Sequence, residues 1–136
     1  MSIKHIEIGI VEVYVDGACT RNGKQGARAG SGVYFGSEDP RNSSFKVPGK
    51  QTNQRAEVWA IIQALDLCPD RPLRIYTDSV YAWKGATRQW HMKQNLDLFE
   101  PLWEKLKGRV IDWKVIRGHT GIVGNEAADK LAKQGI

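Results

Sequence analysis

Val11, Val13 and Val15 alternate along a β-branched run, and Ile10 to Val15 predicts a first strand that stops at Asp16-Gly17. Residues 20–30 carry Asn22-Gly23, Gly26 and Gly30, the composition of a turn or hairpin loop. Ser31 to Phe35 and Ser43 to Val47 predict two more strands, punctuated by Pro40 and Pro48, and the three together predict an antiparallel meander. After Thr52 the period changes. Ala56, Trp59, Ala60, Ala64 and Leu67 fall at helical spacing, and Val58, Ile61, Ile62 and Leu65 fill the other faces. Asn53 to Leu67 therefore predicts a central helix, apolar nearly all round, with Thr52 or Asn53 as its N-cap and Pro69 closing it. The rest reads as a strand over Leu73 to Thr77, helices over Ser79 to about Ala86 and Leu96 to Lys107, a strand over Val110 to Ile116, a Gly-rich loop over Gly118 to Gly124, and a last helix over Asn125 to Gln134 with Ala128, Leu131 and Ala132 on one stripe. The order β-β-β-α-β-α-α-β-α predicts an α/β fold whose mixed sheet joins the meander to parallel strands through helical crossovers.

Composition narrows the class. The 136 residues are 41% hydrophobic and 26% charged, ordinary globular usage, which excludes a disordered tail or a fibre and predicts one domain over residues 1–136. The apolar stretch Val58 to Leu67, broken by Gln63 and Asp66, is too short to span a bilayer. Lys4, His5, Glu7 and Glu12 do not suit a signal peptide, so the expectation is a soluble intracellular protein, cytoplasmic or in the nucleoid or nucleus, and a monomer. Cys19 and Cys68 supply neither a disulfide framework nor a four-ligand zinc site. The 20 Lys and Arg exceed the 15 Asp and Glu by five, and the excess is local. Residues 17–56 hold seven bases and two acids. Residues 79–95 hold Lys84, Arg88 and Lys93, no acid, and the interleaved Trp83, Trp90 and His91. Aromatics among bases suit a surface that follows phosphates and packs on sugars or bases, although a basic surface is also compatible with simple solvation.

Four acids stand at the ends of predicted elements. Asp16 ends the first strand, Glu57 lies early in the central helix, Asp78 follows the fourth strand and Asp129 lies in the last helix. The C-terminal ends of adjacent parallel strands form the crevice where open α/β sheets place ligands. Each acid alone has a plain structural use: Asp16 as a turn residue, Glu57 as a charge favoured by the helix dipole, Asp78-Ser79 as a cap, Asp129 as the i,i+4 partner of Lys133. Gathered together, four carboxylates repel and need cations. Oxygen-only ligands select hard ions such as Mg²⁺ or Mn²⁺, and two such ions clamp the attacking and leaving oxygens of a phosphodiester displacement.

The segments VYVDGACTRNG (13–23), AGSGVYFG (29–36), TNQRAEVWAIIQAL (52–65), IYTDSVYAWKG (75–85) and RGHTGIVGNEAADKLAKQG (117–135) resemble type 1 ribonuclease H, the nuclease that cuts RNA in RNA–DNA hybrids. The resemblance runs from Val11 to Gln134 and implies a five-stranded mixed sheet flanked by helices. It implies that Asp16 bridges two Mg²⁺ ions (Mn²⁺ as substitute), that Glu57 and Asp78 hold the metal beside the leaving 3′ oxygen, and that Asp129 holds the metal that activates the attacking water. His119 matches a mobile histidine that assists proton transfer or release, a task suited to imidazole; His5 and His91 match no catalytic position. Asn22, Asn53 and Gln54 match readers of the minor groove and the 2′-hydroxyls, the group that separates RNA from DNA. Lys50 and Thr52 match a pocket for a DNA-strand phosphate, and Trp90 resembles an aromatic that packs on deoxyriboses. Arg55, next after Gln54 in the same run, also suits a helix-surface charge and is left out of the substrate-binding set.

Many cellular members carry a basic helix and loop after the Trp90 position. Here Trp90 runs through His91 to Asn95 straight into the Leu96 helix, as in some archaeal enzymes and retroviral reverse transcriptases, and Lys84, Arg88 and Lys93 are the available compensation. The N-terminal hybrid-binding domain of many eukaryotic members is likewise expected to be absent. The partner implied is an RNA–DNA hybrid duplex, with no membrane role, and the chain fits either a stand-alone enzyme or a part of a reverse transcriptase. Two rivals remain: another nuclease of the same fold, which would not need TNQ or the GHTG loop, and a hybrid-binding module that no longer cuts, which would be expected to have lost an acid.

Overall fold

The computed structural model describes residues 9–136, so the readings placed on Lys4, His5 and Glu7 lie outside the described residues. The strands are β1 (Val11–Thr20), β2 (Arg28–Tyr34), β3 (Ser43–Lys46), β4 (Leu73–Thr77) and β5 (Ile111–Val115), and the helices α1 (Asn53–Leu67), α2 (Val80–Ala86), α3 (Leu96–Leu106) and α4 (Val123–Gln134). The strands form one sheet in the order β3-β2-β1-β4-β5. β1 pairs antiparallel with β2 and β2 with β3, while β1 pairs parallel with β4 and β4 with β5. The mixed five-stranded sheet expected from the sequence is therefore present.

The apolar girth of α1 explains its central place. Ala56, Val58, Ala60, Ile61, Ile62, Ala64 and Leu65 are all buried, because the helix packs on β1 and β2 on one side and on α3 on the other. Val13 and Val15 of β1, Leu73 and Ile75 of β4, and Leu98, Phe99 and Leu102 of α3 complete this core. Burying each such large side chain is worth about 1.5–3 kcal/mol. α4 covers the opposite face. Successive strand residues point to opposite sides: the Ser31 hydroxyl donates to the Ala56 carbonyl of α1 at 2.7 Å, while a Cβ on neighbouring Gly32 would collide with the Ala128 carbonyl of α4. Among the described residues no helix is long and apolar enough to cross a membrane, and Cys19 and Cys68 are both free.

Several boundaries differ from the sequence reading. β1 does not stop at Asp16-Gly17; it continues to Thr20, paired through Thr20 to Arg28. β2 accordingly starts at Arg28, and the turn shrinks to residues 21–27. Thr52 is the N-cap of α1, its hydroxyl accepting the Arg55 N–H at 3.1 Å. Ser79, not Asp78, caps α2, accepting from the Ala82 N–H at 3.0 Å. α4 begins at Val123, two residues before Asn125.

Candidate active site

Asp16, Glu57 and Asp78 bring carboxylate oxygens within 4.8 Å of one another. The parallel pairing of β1 and β4 supplies two of them: Asp16 continues β1 beyond the paired Tyr14–Tyr76 register, and Asp78 follows the last residue of β4. α1 supplies the third through a close approach. At Gly17 a Cβ would lie 2.6 Å from the Glu57 nitrogen and 2.7 Å from the Ala56 carbonyl carbon, so only glycine lets β1 and α1 meet there. The Gly17 N–H then donates to Asp16 Oδ1 and to Glu57 Oε1, each at 2.9 Å. A second glycine closes the corner from the loop after β5, where a Cβ on Gly118 would collide with Asp78 Oδ2.

The plain structural uses of these acids do not account for this geometry. Asp16 lies within a strand, not a turn. Glu57 lies beyond the first turn of α1, which holds no acid. Asp78 leaves the capping of α2 to Ser79. Asp16 and Glu57 are each only 4% exposed. Burial, reinforced by the charges of Asp78 and Asp129, pushes the Asp16 carboxyl up to about 7. Burial first, then Asp16 and Asp78, pushes Glu57 well above its usual range. The Glu57 Oε2 atom is buried with no hydrogen-bond partner. Repelling carboxylates with an unsatisfied oxygen are what a hard divalent cation would satisfy, so the donor set fits a Mg²⁺-class ion.

Asp129 and His119 stand at the margin. Asp129 lies on α4, outside the 4.8 Å group; its Oδ2 pairs with Lys133 Nζ at 2.9 Å, and its charge still raises Asp16. Close packing of α4 on Gly30 and Gly32 of β2 brings it to this end of the sheet. His119 is exposed, with φ of 58°, and follows the Gly118 that abuts Asp78. Its N–H donates to Asn125 Oδ1 at 3.4 Å. The basic side is assembled from two directions. Asn22 Oδ1 accepts the Asn53 N–H at 3.0 Å, fixing the turn against the start of α1. Lys50 and Thr52 line a cleft of about 370 Å³ together with Lys24 and Gln51. Asn53 and Gln54 are exposed on the first turn of α1. Trp90, 46% exposed, lines a groove with Tyr81, Met92 and Lys93.

The RNase H family model matches residues 9–136. The chain belongs to the RNase H family of nucleases. Ribonuclease H1 of Rattus norvegicus is 40% identical over 92% of this chain and 50% of its own length, so the chain spans about half of that relative. Ribonuclease H of Pseudomonas paraeruginosa is 36% identical over 93% of each. In structure, the chain is similar to LC9-RNase H1, described as a type 1 RNase H with the type 2 active-site motif: the TM-score is 0.70, with 28% identity over 93% of this chain and 71% of the other.

Within this RNase H fold one residue departs from its sequence reading. Arg55 is not a surface charge; it is 3% exposed and bound bidentately by Asp97, Nη1 to Oδ1 and Nη2 to Oδ2 at 2.8 Å each. Its partner lies 42 residues away, so no local pattern betrayed it. Asn125 is a second residue that the sequence does not single out. It is 3% exposed and joins α4 to the His119 loop; the only sequence signal was its place in the GNE run after that loop.

Proposed function

We propose that this chain is an endoribonuclease that hydrolyses the RNA strand of RNA–DNA hybrids with two Mg²⁺ ions (Mn²⁺ as substitute), leaving 5′-phosphate and 3′-hydroxyl ends. The observation that carries the reading is the buried Asp16–Glu57–Asp78 corner with its unpartnered Glu57 oxygen, in a chain of the RNase H family. Asp16, Glu57, Asp78 and Asp129 are the residues that would hold the ions. Bound there, divalent cations stabilise the charge that builds on the attacking and leaving oxygens of a phosphodiester displacement.

The chain's own side chains do the rest. The Gly17 N–H holds Asp16 and Glu57 in one orientation before any ligand arrives, so little reorganisation is needed on binding. Lys133 pairs with Asp129 and balances its charge, a pairing that a cation bound by Asp129 would replace. Asn22, locked to the Asn53 N–H, presents its amide nitrogen to the minor groove beside Asn53 and Gln54, where 2′-hydroxyls mark the RNA strand. Thr52 spends its acceptor on the α1 cap and keeps its O–H to donate, with the Lys50 ammonium, to a DNA-strand phosphate. Trp90 offers an exposed ring for sugar packing. His119, exposed beside Gly118, is the residue we assign to moving a proton or helping product leave. The roughly double length of the rat relative supports reading the chain as one catalytic unit that can also stand within a larger polypeptide.

A strand-resolved cleavage assay on RNA–DNA, RNA–RNA and DNA–DNA duplexes, with and without Mg²⁺, tests the reading. Cleavage of the RNA strand of the hybrid alone, lost in Asp16→Asn, is the expected result. An intact hybrid in both Mg²⁺ and Mn²⁺ would reject it.

A further inference from the structure

Arg55 takes no part in the chemistry above, yet the segments that would grip substrate meet at its guanidinium. Besides its two bonds to Asp97, Nη1 donates to Asn95 Oδ1 at 3.2 Å and Nη2 to the Pro48 carbonyl at 2.8 Å. The Asp97 bonds neutralise charge; the Pro48 bond fixes a path. Gly49 turns with φ of 71°, and a Cβ there would lie 2.8 Å from Nη2, so the turn that leads to Lys50 is wrapped around the guanidinium. On the other side, Asn95 adopts φ of 58° and its Nδ2 donates to the Tyr81 hydroxyl at 2.8 Å. Tyr81 lines the Trp90 groove. The residue carrying the guanidinium belongs to the first turn of α1, beside Asn53 and Gln54.

We propose that Arg55 is a positioning residue for the nucleic-acid substrate, setting the spacing between the Lys50–Thr52 cleft and the Trp90 groove so that one duplex engages both. The proposal rests on the hybrid-nuclease reading. A planar fork is required for this, because each of its two Nη nitrogens serves two oxygens at once; an ammonium at the same place keeps the charge and loses the simultaneous geometry. Displacing one gripping surface by a fraction of an ångström weakens binding of a duplex that must touch both, while the carboxylate corner, held by Gly17, stays as it is.

Equilibrium binding and steady-state cleavage of an RNA–DNA hybrid by wild type, Arg55→Lys and Asp97→Asn test this. Asp97 is 62% exposed, so its amide variant folds even if Arg55→Lys does not. The expected result is a rise in Kd and KM of about tenfold for Arg55→Lys and a smaller rise for Asp97→Asn, with kcat changing less than about threefold in each. Leu102→Ala, a core variant that lowers Tm, is the control for simple destabilisation: it reduces the active fraction and leaves KM unmoved. Kd and KM within twofold of wild type in both Arg55→Lys and Asp97→Asn would overturn the proposal, as would a fall confined to kcat. Wild type that neither binds nor cleaves the hybrid would instead remove the hybrid reading itself.

Discussion

Arg55 and Glu57 stand two residues apart on α1 and are buried alike, at 3% and 4% exposure, yet their surroundings are opposite. Through its two Nη nitrogens Arg55 meets a carboxylate, an amide oxygen and a carbonyl, only its Nε lacking a partner, and Asp97 holds its guanidinium firmly charged. Glu57 meets one N–H and two further carboxylates, with one oxygen unpartnered. A buried charge with its partners in place is a fastening; removing one member leaves the other stranded. A buried charge without a partner is a cost the fold bears for something that arrives later. The two residues teach that burial of charge does not by itself mark a functional site, whereas burial without neutralisation does.

The sharpest way to break this contrast is to remove one charge from each side. Asp16→Asn should lower hybrid cleavage on the order of 10³-fold, while Arg55→Lys keeps turnover and loses substrate affinity; equal effects on kcat would erase the distinction. Stability should move in opposite directions. Arg55→Leu leaves the Pro48 carbonyl and the Asn95 amide oxygen without their donor and should cost about 2 kcal/mol in urea denaturation, whereas Glu57→Gln relieves repulsion and should stabilise the metal-free protein by about 1 kcal/mol. The pH dependence follows with a definite sign. The Asp16 carboxyl is raised from 3.8 to about 7, so the folded chain retains a proton that the unfolded chain has released. That contribution is fully present below the unfolded value and is lost as pH rises through about 7. Denaturation midpoints measured in chelator should therefore decline as pH rises from about 4 to about 7, and saturating Mg²⁺ should flatten the decline. The smallest effect belongs to the periphery. Lys50→Ala should weaken hybrid binding about fivefold and reduce the slope of log affinity against log salt by about 1.

The sequence showed most where one element was read against its own period. The valines of β1, the all-round apolar α1 and the Thr52 cap stand where the pattern put them. It showed least where two distant segments meet. Asp16-Gly17 looked like a strand end because Asp-Gly is turn chemistry; its glycine is there for the close approach of α1, 40 residues on. Arg55 looked solvated because Asp97 is 42 residues distant. α4 starts earlier than its apolar stripe because its first residue, Val123, is 75% exposed and contributes nothing to that stripe. Three of the four acids form one cluster, as their places at element ends suggested, while Asp129 sits apart on its lysine.

Calorimetric titration of Mn²⁺ into the protein at pH 7, in two buffers of different ionisation enthalpy, tests the claim that the buried acids await a cation. Saturable binding with release of protons, abolished in Asp16→Asn and unaffected in Asp97→Asn, is the result the structure predicts. Absence of saturable binding, or binding undiminished in Asp16→Asn, would contradict it.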